Sequence, residues 1–177
     1  MSDAGEQFGF HTEVTVRWSD MDVFQHINHA RMVTLLEEAR IPWLFADGRP
    51  TQSLREGAVI ADLHVRYRGQ LRHEDGPLDV MMWTEKVRAV DFTIGYEVRP
   101  GGAPADSTPS IIASTQIAAF DIDTQRLRRL TGEERATCFG GNVTDTTTGF
   151  GERAVAVAGE NDRTDLAAFL TRAVRLD

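Results

Sequence analysis

The chain has 177 residues, a formal charge of −8, and a composition 41% hydrophobic and 26% charged. That length suits one domain with enough apolar material to bury a core. The acidic balance argues against nucleic acid as the main partner, because neutralising phosphates needs a basic surface. No apolar run is long enough to cross a bilayer.

The opening MSDAGEQ is polar and lacks the charged-then-apolar pattern of a secretory leader. His11 to Trp18 alternates, with Val14 and Val16 on one face and Thr15 and Arg17 on the other, which predicts a first strand. A turn rich in Asp, Gln, His and Asn follows. Met32, Leu35, Leu36, Ala39 and Trp43 then recur at helical spacing, predicting a helix with one apolar stripe. Pro42 predicts a kink or restart, and Asp47-Gly48 an end; residues 49–57 read as a loop.

Four strands are expected next. Val59, Ala61, Leu63, Val65 and Tyr67 alternate with polar residues and predict a half-buried strand. The turn His73–Gly76 leads into Leu78–Arg88, where Met81, Met82 and Trp83 predict burial on both faces. Phe92, Ile94, Tyr96 and Val98 alternate in a third strand. Pro100–Pro109 is a Pro/Gly/Ser-rich loop, and Ser110–Ile122 a long β-rich run. Thr131 and Glu134 have the spacing of a capping box before a short helix. Residues 1–139 are expected to form the domain and residues 140–160 a linker. Residues 161–177 are expected to form an amphipathic helix, with Leu166, Phe169, Leu170, Ala173 and Val174 on its apolar face. One long helix beside a run of mostly antiparallel strands predicts an α+β fold.

The chemistry concentrates in DMDVFQHINHARM, residues 20–32. Asp22 sits in the turn, and His26, Asn28 and His29 close it at the helix start. A carboxylate beside a helix N-terminus sets a base or nucleophile next to free N–H donors, which stabilise a developing oxyanion. That pairing points to acyl chemistry. An acyl carbonyl needs attack and polarisation of its oxygen, and one carboxylate plus backbone N–H donors suffices for both in principle. Asp22, Asn28 and His26 are also residue types that stabilise turns by local hydrogen bonds. Asp22, His26 and His29 could be read as metal ligands, but neither an HExxH pair nor a cysteine cluster accompanies them, and no metal or cofactor is expected. Glu37 and Glu38 on the helix are expected to be solvated or at an interface. Arg66, Arg68, Arg72 and Arg88 are candidate phosphate partners. The single Cys138 excludes an intrachain disulfide and favours a reducing cytoplasm, and with no neighbouring base it is expected to be inert.

This turn, leading straight into a helix, resembles the signature of hotdog-fold acyl-CoA thioesterases, the 4-hydroxybenzoyl-CoA thioesterase-like and acyl-ACP thioesterase-like enzymes. The resemblance covers roughly residues 10–139. It implies a curved antiparallel sheet wrapped around a long central helix. Asp22 then matches the catalytic carboxylate, as general base or as nucleophile through a mixed anhydride. His26 would orient Asp22 or pack beneath the turn, and Asn28 would hold water or the thioester. The backbone N–H groups of His29 and Ala30 become candidate oxyanion donors. The expected substrate is an acyl-CoA or acyl-carrier-protein thioester, and the expected assembly is a homodimer or homotetramer with its site between subunits. Two rival readings share the fold: a non-catalytic acyl-CoA or lipid-binding module, and an acyl-thioester dehydratase.

Overall fold

A computed structural model describes residues 9–138. The expected linker and C-terminal amphipathic helix, residues 140–160 and 161–177, lie outside the described residues.

The first strand, β1 (Phe10–Val14), is shorter than the alternation predicts. Val14 and Val16 are both buried, but the chain has left the sheet by Val16 and turns through a 3-10 helix at Trp18–Asp20. Asp20 explains the break. Its carboxylate accepts the Arg17 N–H at 2.7 Å and its carbonyl accepts the Asn28 N–H at 2.9 Å, so local bonds replace a sheet ladder. The long helix α1 (His29–Leu44) buries Met32, Leu35, Leu36 and Ala39 of the predicted stripe and leaves Trp43 half-buried. It runs through Pro42 without restarting and is closed by Phe45, whose N–H reaches the Ile41 carbonyl at 2.9 Å. Asp47-Gly48 therefore does not end the helix. Gly48, at φ 80°, serves the separate turn that follows. The expected loop beyond it is a 3-10 helix, Pro50–Glu56.

Four long strands follow: β2 (Ala58–Tyr67), β3 (Leu78–Val87), β4 (Asp91–Arg99) and β5 (Ile111–Asp121). A two-residue strand, β6 (Arg126–Leu127), pairs with β5 and has too little pattern to be visible in sequence. The sheet order is β1-β3-β4-β5-β2, and every pair in it is antiparallel. The sheet curls around α1, the α+β layout expected. Phe92, Ile94, Tyr96 and Val98 of central β4 all enter the core with Val80, Met82, Ile111, Ile117 and the helix stripe. Burying a side chain of this size contributes roughly 1.5–3 kcal/mol each.

Two strands depart from expectation. In β3 only Leu78, Val80 and Met82 are fully buried, whereas Met81 and Trp83 are half-buried. The outer face is instead screened locally, where the Trp83 ring lies over Gly95, its register partner; any Cβ at Gly95 would strike that ring. In β2 the apolar alternation is only partly covered, with Ile60, Leu63 and Tyr67 exposed, because this strand is the edge of the sheet.

Arg40 carries a charge into the interior and is 7% exposed. It pairs with Glu37 at 3.3 Å and lies beside the Tyr96 phenol, whose pKa burial raises and Arg40 opposes. The last helix, α2 (Gly132–Cys138), opens with the predicted capping box in reciprocal form. Glu134 accepts the Thr131 N–H at 2.7 Å, and its own N–H donates to the Thr131 hydroxyl at 3.1 Å.

Candidate active site

The turn between β1 and α1 is a small antiparallel loop. Met21 bridges Ile27, and the Asp22 N–H donates to the His26 carbonyl at 2.9 Å. Gln25 closes the tip at φ 62°, a left-handed conformation seldom adopted outside glycine. Ile27 then donates its N–H to the Leu71 carbonyl at 2.8 Å, tying the loop to the chain beyond β2. These bonds hold the backbone of Asp22. One carboxylate oxygen accepts the Phe24 N–H at 2.9 Å, which fixes the rotamer and leaves the other oxygen for chemistry.

A cavity of about 250 Å³ opens beside it, lined by Asp22, His26, Ile27, His29, Met32, Tyr67, Gly69, Gln70, Leu71 and Ile111. Asp22, His26 and His29, the first residue of α1, thus meet over an apolar floor made by Ile27, Met32, Leu71 and Ile111. His26 Nε2 is buried without a hydrogen-bond partner among the described residues. The Tyr67 hydroxyl, at the end of β2, reaches the His29 carbonyl oxygen at 3.4 Å. Desolvation by burial raises the Tyr67 pKa, favouring the protonated donor.

Asn28 is the N-cap of α1, its side-chain oxygen accepting the Ala30 N–H at 2.9 Å. This constrains the expected oxyanion pair. The first N–H groups of a helix have no partner within it, but here the cap engages Ala30 and the Asn28 carbonyl engages Met32. His29, which lines the cavity, is the first residue of the helix. Asn28 keeps its amide NH₂ for another partner.

The other candidates are placed elsewhere. Glu37 holds Arg40. Glu38, Arg66 and Arg68 are exposed, and none of the three lines this cavity. Arg88 lies beside Asp91, with 3.8 Å between charged atoms. The Cys138 thiol is buried and pushed up to about 12, chiefly by desolvation and further by Glu134, which keeps it protonated. Among the described residues, no group of three or more His, Cys, Asp or Glu side chains is placed to hold a metal ion. Sequence reasoning missed Tyr67, Gln70, Leu71 and Ile111 as cavity residues. The half-exposed end of β2 and the chain after it carried no signal beyond strand alternation.

A profile of the thioesterase-like superfamily matches residues 16–155, a span that begins just before this turn. The chain belongs to the thioesterase-like superfamily. Thioester hydrolysis is the enzyme class that goes with that membership. Several solved structures share the fold. A probable thioesterase from Escherichia coli, YbaW, is 23% identical with a TM-score of 0.62, over 73% of this chain and 96% of its own. A thioesterase from Thermus thermophilus, solved with coenzyme A and Zn, is 20% identical with a TM-score of 0.59, over 72% and 90%. A 1,4-dihydroxy-2-naphthoyl-CoA thioesterase from Synechocystis is 14% identical with a TM-score of 0.60, over 73% and 95%. The curled antiparallel sheet around one helix is thus the hotdog fold. No curated protein sequence matches the chain.

Proposed function

We propose that the protein hydrolyses an acyl-CoA or acyl-carrier-protein thioester to a free acid and a thiol, with Asp22 as the catalytic carboxylate. The observation that carries this reading is a single cavity in which Asp22 faces the first turn of α1 across an apolar floor. The acyl group lies on Ile27, Met32, Leu71 and Ile111, and the carbonyl oxygen points at the His29 N–H. As a general base, Asp22 takes a proton from water while the oxygen adds to the carbonyl carbon. The resulting oxyanion is held by the His29 N–H and the positive end of the helix. Collapse expels the thiolate, which recovers a proton. As a nucleophile, Asp22 would form a mixed anhydride that water then opens, and the same geometry serves both routes. His26 packs beneath the turn that carries Asp22, and Asn28 fixes the helix end that supplies the N–H. A binding module needs neither the carboxylate nor the donor beside it.

The decisive assay measures free thiol released from short, long and aromatic acyl-CoAs by wild type and Asp22→Asn. The amide keeps size and hydrogen bonding but loses basicity and nucleophilicity, so turnover should fall by roughly 10²-fold or more while the fold persists. Near-native turnover in folded Asp22→Asn would falsify the assignment.

The dimer or tetramer belongs to the same proposal. Edge strand β2, which pairs only with β5 among the described residues, exposes Ile60, Leu63 and Tyr67. A second copy pairing there extends the sheet and brings its residues toward the cavity that Tyr67 borders.

A further inference from the structure

The loop that carries Asp22 is a three-residue hairpin connection. The Gln25 N–H donates to the Asp22 carbonyl at 3.0 Å and the Asp22 N–H to the His26 carbonyl at 2.9 Å, so Val23, Phe24 and Gln25 make the turn. Connections of this length end on a left-handed residue, and glycine is its default occupant because a Cβ is strained there. Here the position, at φ 62°, holds a glutamine. Among the described residues the only other non-glycine residue at positive φ is Gln125, at φ 53°, whose carboxamide folds back onto the Ile122 carbonyl at 2.7 Å. That bond helps to hold its local conformation. No such side-chain hydrogen bond holds Gln25 among the described residues. Its side chain instead lines a cavity of about 260 Å³ with Trp18, Met21, Asp22, Arg72 and Glu74.

Asp22 is the one residue that this cavity shares with the acyl cavity. The acyl cavity is floored by aliphatic side chains, whereas the second presents a guanidinium, a carboxylate and a carboxamide. Its volume is several times the roughly 30 Å³ that a water molecule occupies in the liquid. Water therefore meets Asp22 from the polar side, and the thioester meets it from the apolar side. One Asp22 oxygen accepts the Phe24 N–H. A water on the other oxygen alone is free to turn about that contact. Attack needs its lone pair aimed at the carbonyl carbon, and so a second contact.

Resting on the thioesterase reading with Asp22 as general base, we infer that Gln25 orients the attacking water. One O–H of the water gives its proton to the free Asp22 oxygen, and the other O–H donates to Gln25 Oε1. The water's lone pair forms the new bond to the carbonyl carbon, whose π pair moves onto its oxygen. As the carbonyl re-forms, the C–S bond breaks and the thiolate takes the proton from Asp22. A carboxamide suits this place because its oxygen accepts a hydrogen bond without competing for the proton.

The test compares Gln25→Gly, which relaxes the backbone and removes the carboxamide, with Gln25→Met, which keeps the strain and the chain length but neither hydrogen-bonding atom. Thiol release is measured for both beside wild type, Asp22→Asn and the double variant Asp22→Asn/Gln25→Gly, with thermal melts alongside. Each Gln25 variant should lower kcat by roughly tenfold, as loss of one hydrogen bond in the transition state implies, and leave KM within about twofold of wild type. Gln25→Gly should do so with a melting temperature at or above that of wild type, which separates the lost group from lost stability. Added to Asp22→Asn it should reduce kcat distinctly less, because the two side chains act on one water. Wild-type kcat in either variant would overturn the inference: in Gln25→Gly because the side chain is idle, in Gln25→Met because its length and not its carboxamide is used. A rise in KM without loss of kcat, or full additivity with Asp22→Asn, would do the same. These results leave hydrolysis by Asp22 in place. Near-native turnover in Asp22→Asn, or a wild type that cleaves no thioester, removes both readings.

Discussion

Asp20 and Asp22 stand two positions apart, and the local backbone assigns them different work. The Asp20 carboxylate is buried and turned back onto the Arg17 N–H, where it shapes the 3-10 turn. Asp22, held by the Phe24 N–H, borders both cavities. Asn28 poses the matching question of structure against chemistry. Its side-chain oxygen caps Ala30, so Asn28→Ala should cost about 0.5–2 kcal/mol of stability. Asn28→Asp keeps a capping oxygen and discards only the NH₂ group. If the NH₂ group positions water or substrate, Asn28→Asp should keep the melting temperature and lose turnover. If Asn28 is a cap alone, turnover should survive in Asn28→Asp and fall in Asn28→Ala only as far as stability falls. Thermal melts read beside thiol-release rates for the two variants give the answer.

Among the elements, α2 is fastened most tightly by charge. Its Glu134 is 1% exposed, accepts two hydrogen bonds from Arg128 at 2.8 and 2.9 Å and one from the Thr131 N–H, and also meets the Ser53 hydroxyl. Burial alone would raise its pKa, but these donors outweigh burial and lower it from 4.5 to about 2. A carboxyl held below its unfolded value stabilises the fold fully above the unfolded pKa and ceases to do so as pH falls through the folded one. This contribution should therefore be complete above about pH 4.5 and vanish toward about pH 2. Melting temperatures of wild type and Glu134→Gln should differ most above that window and converge at its acid end; a constant gap would show that Glu134 acts by shape and not by charge. The cap itself was legible, because Thr131 and Glu134 interact over three residues. So was β4, where Phe92, Ile94, Tyr96 and Val98 share one face of a central strand. The edge position of β2 was not legible, since alternation says which side chains share a face and nothing about what covers it. The end of α1 was misread because Asp47-Gly48 is an equally good signal for the isolated turn it makes. Asp22, the N-cap and the helix start could be found within a dozen residues. The cavity walls at Leu71 and Ile111 could not, because the sheet brings them in from far along the chain.

At the scale of the whole molecule, the sheet has two edges of unequal character. β1 is five residues long. β2 is ten residues long, exposes Ile60, Leu63 and Tyr67, and also carries exposed Asp62 and His64. A long apolar edge in water invites pairing with another chain, and a twofold axis across it would satisfy both copies with one surface. Its last residue, Tyr67, reaches the His29 carbonyl at the active cavity, so the edge and the site are continuous. Light scattering at low micromolar concentration should therefore give twice the chain mass or a higher multiple. Leu63→Lys places a charge on the exposed edge, 36% open to solvent in the single chain, and should shift the population toward monomer. If a partner completes the cavity wall beyond Tyr67, turnover should fall with the dimer fraction and recover as protein concentration is raised. A stable monomer with full activity would remove the interface from the site and leave Asp22, His29 and the two cavities of one chain to account for catalysis alone.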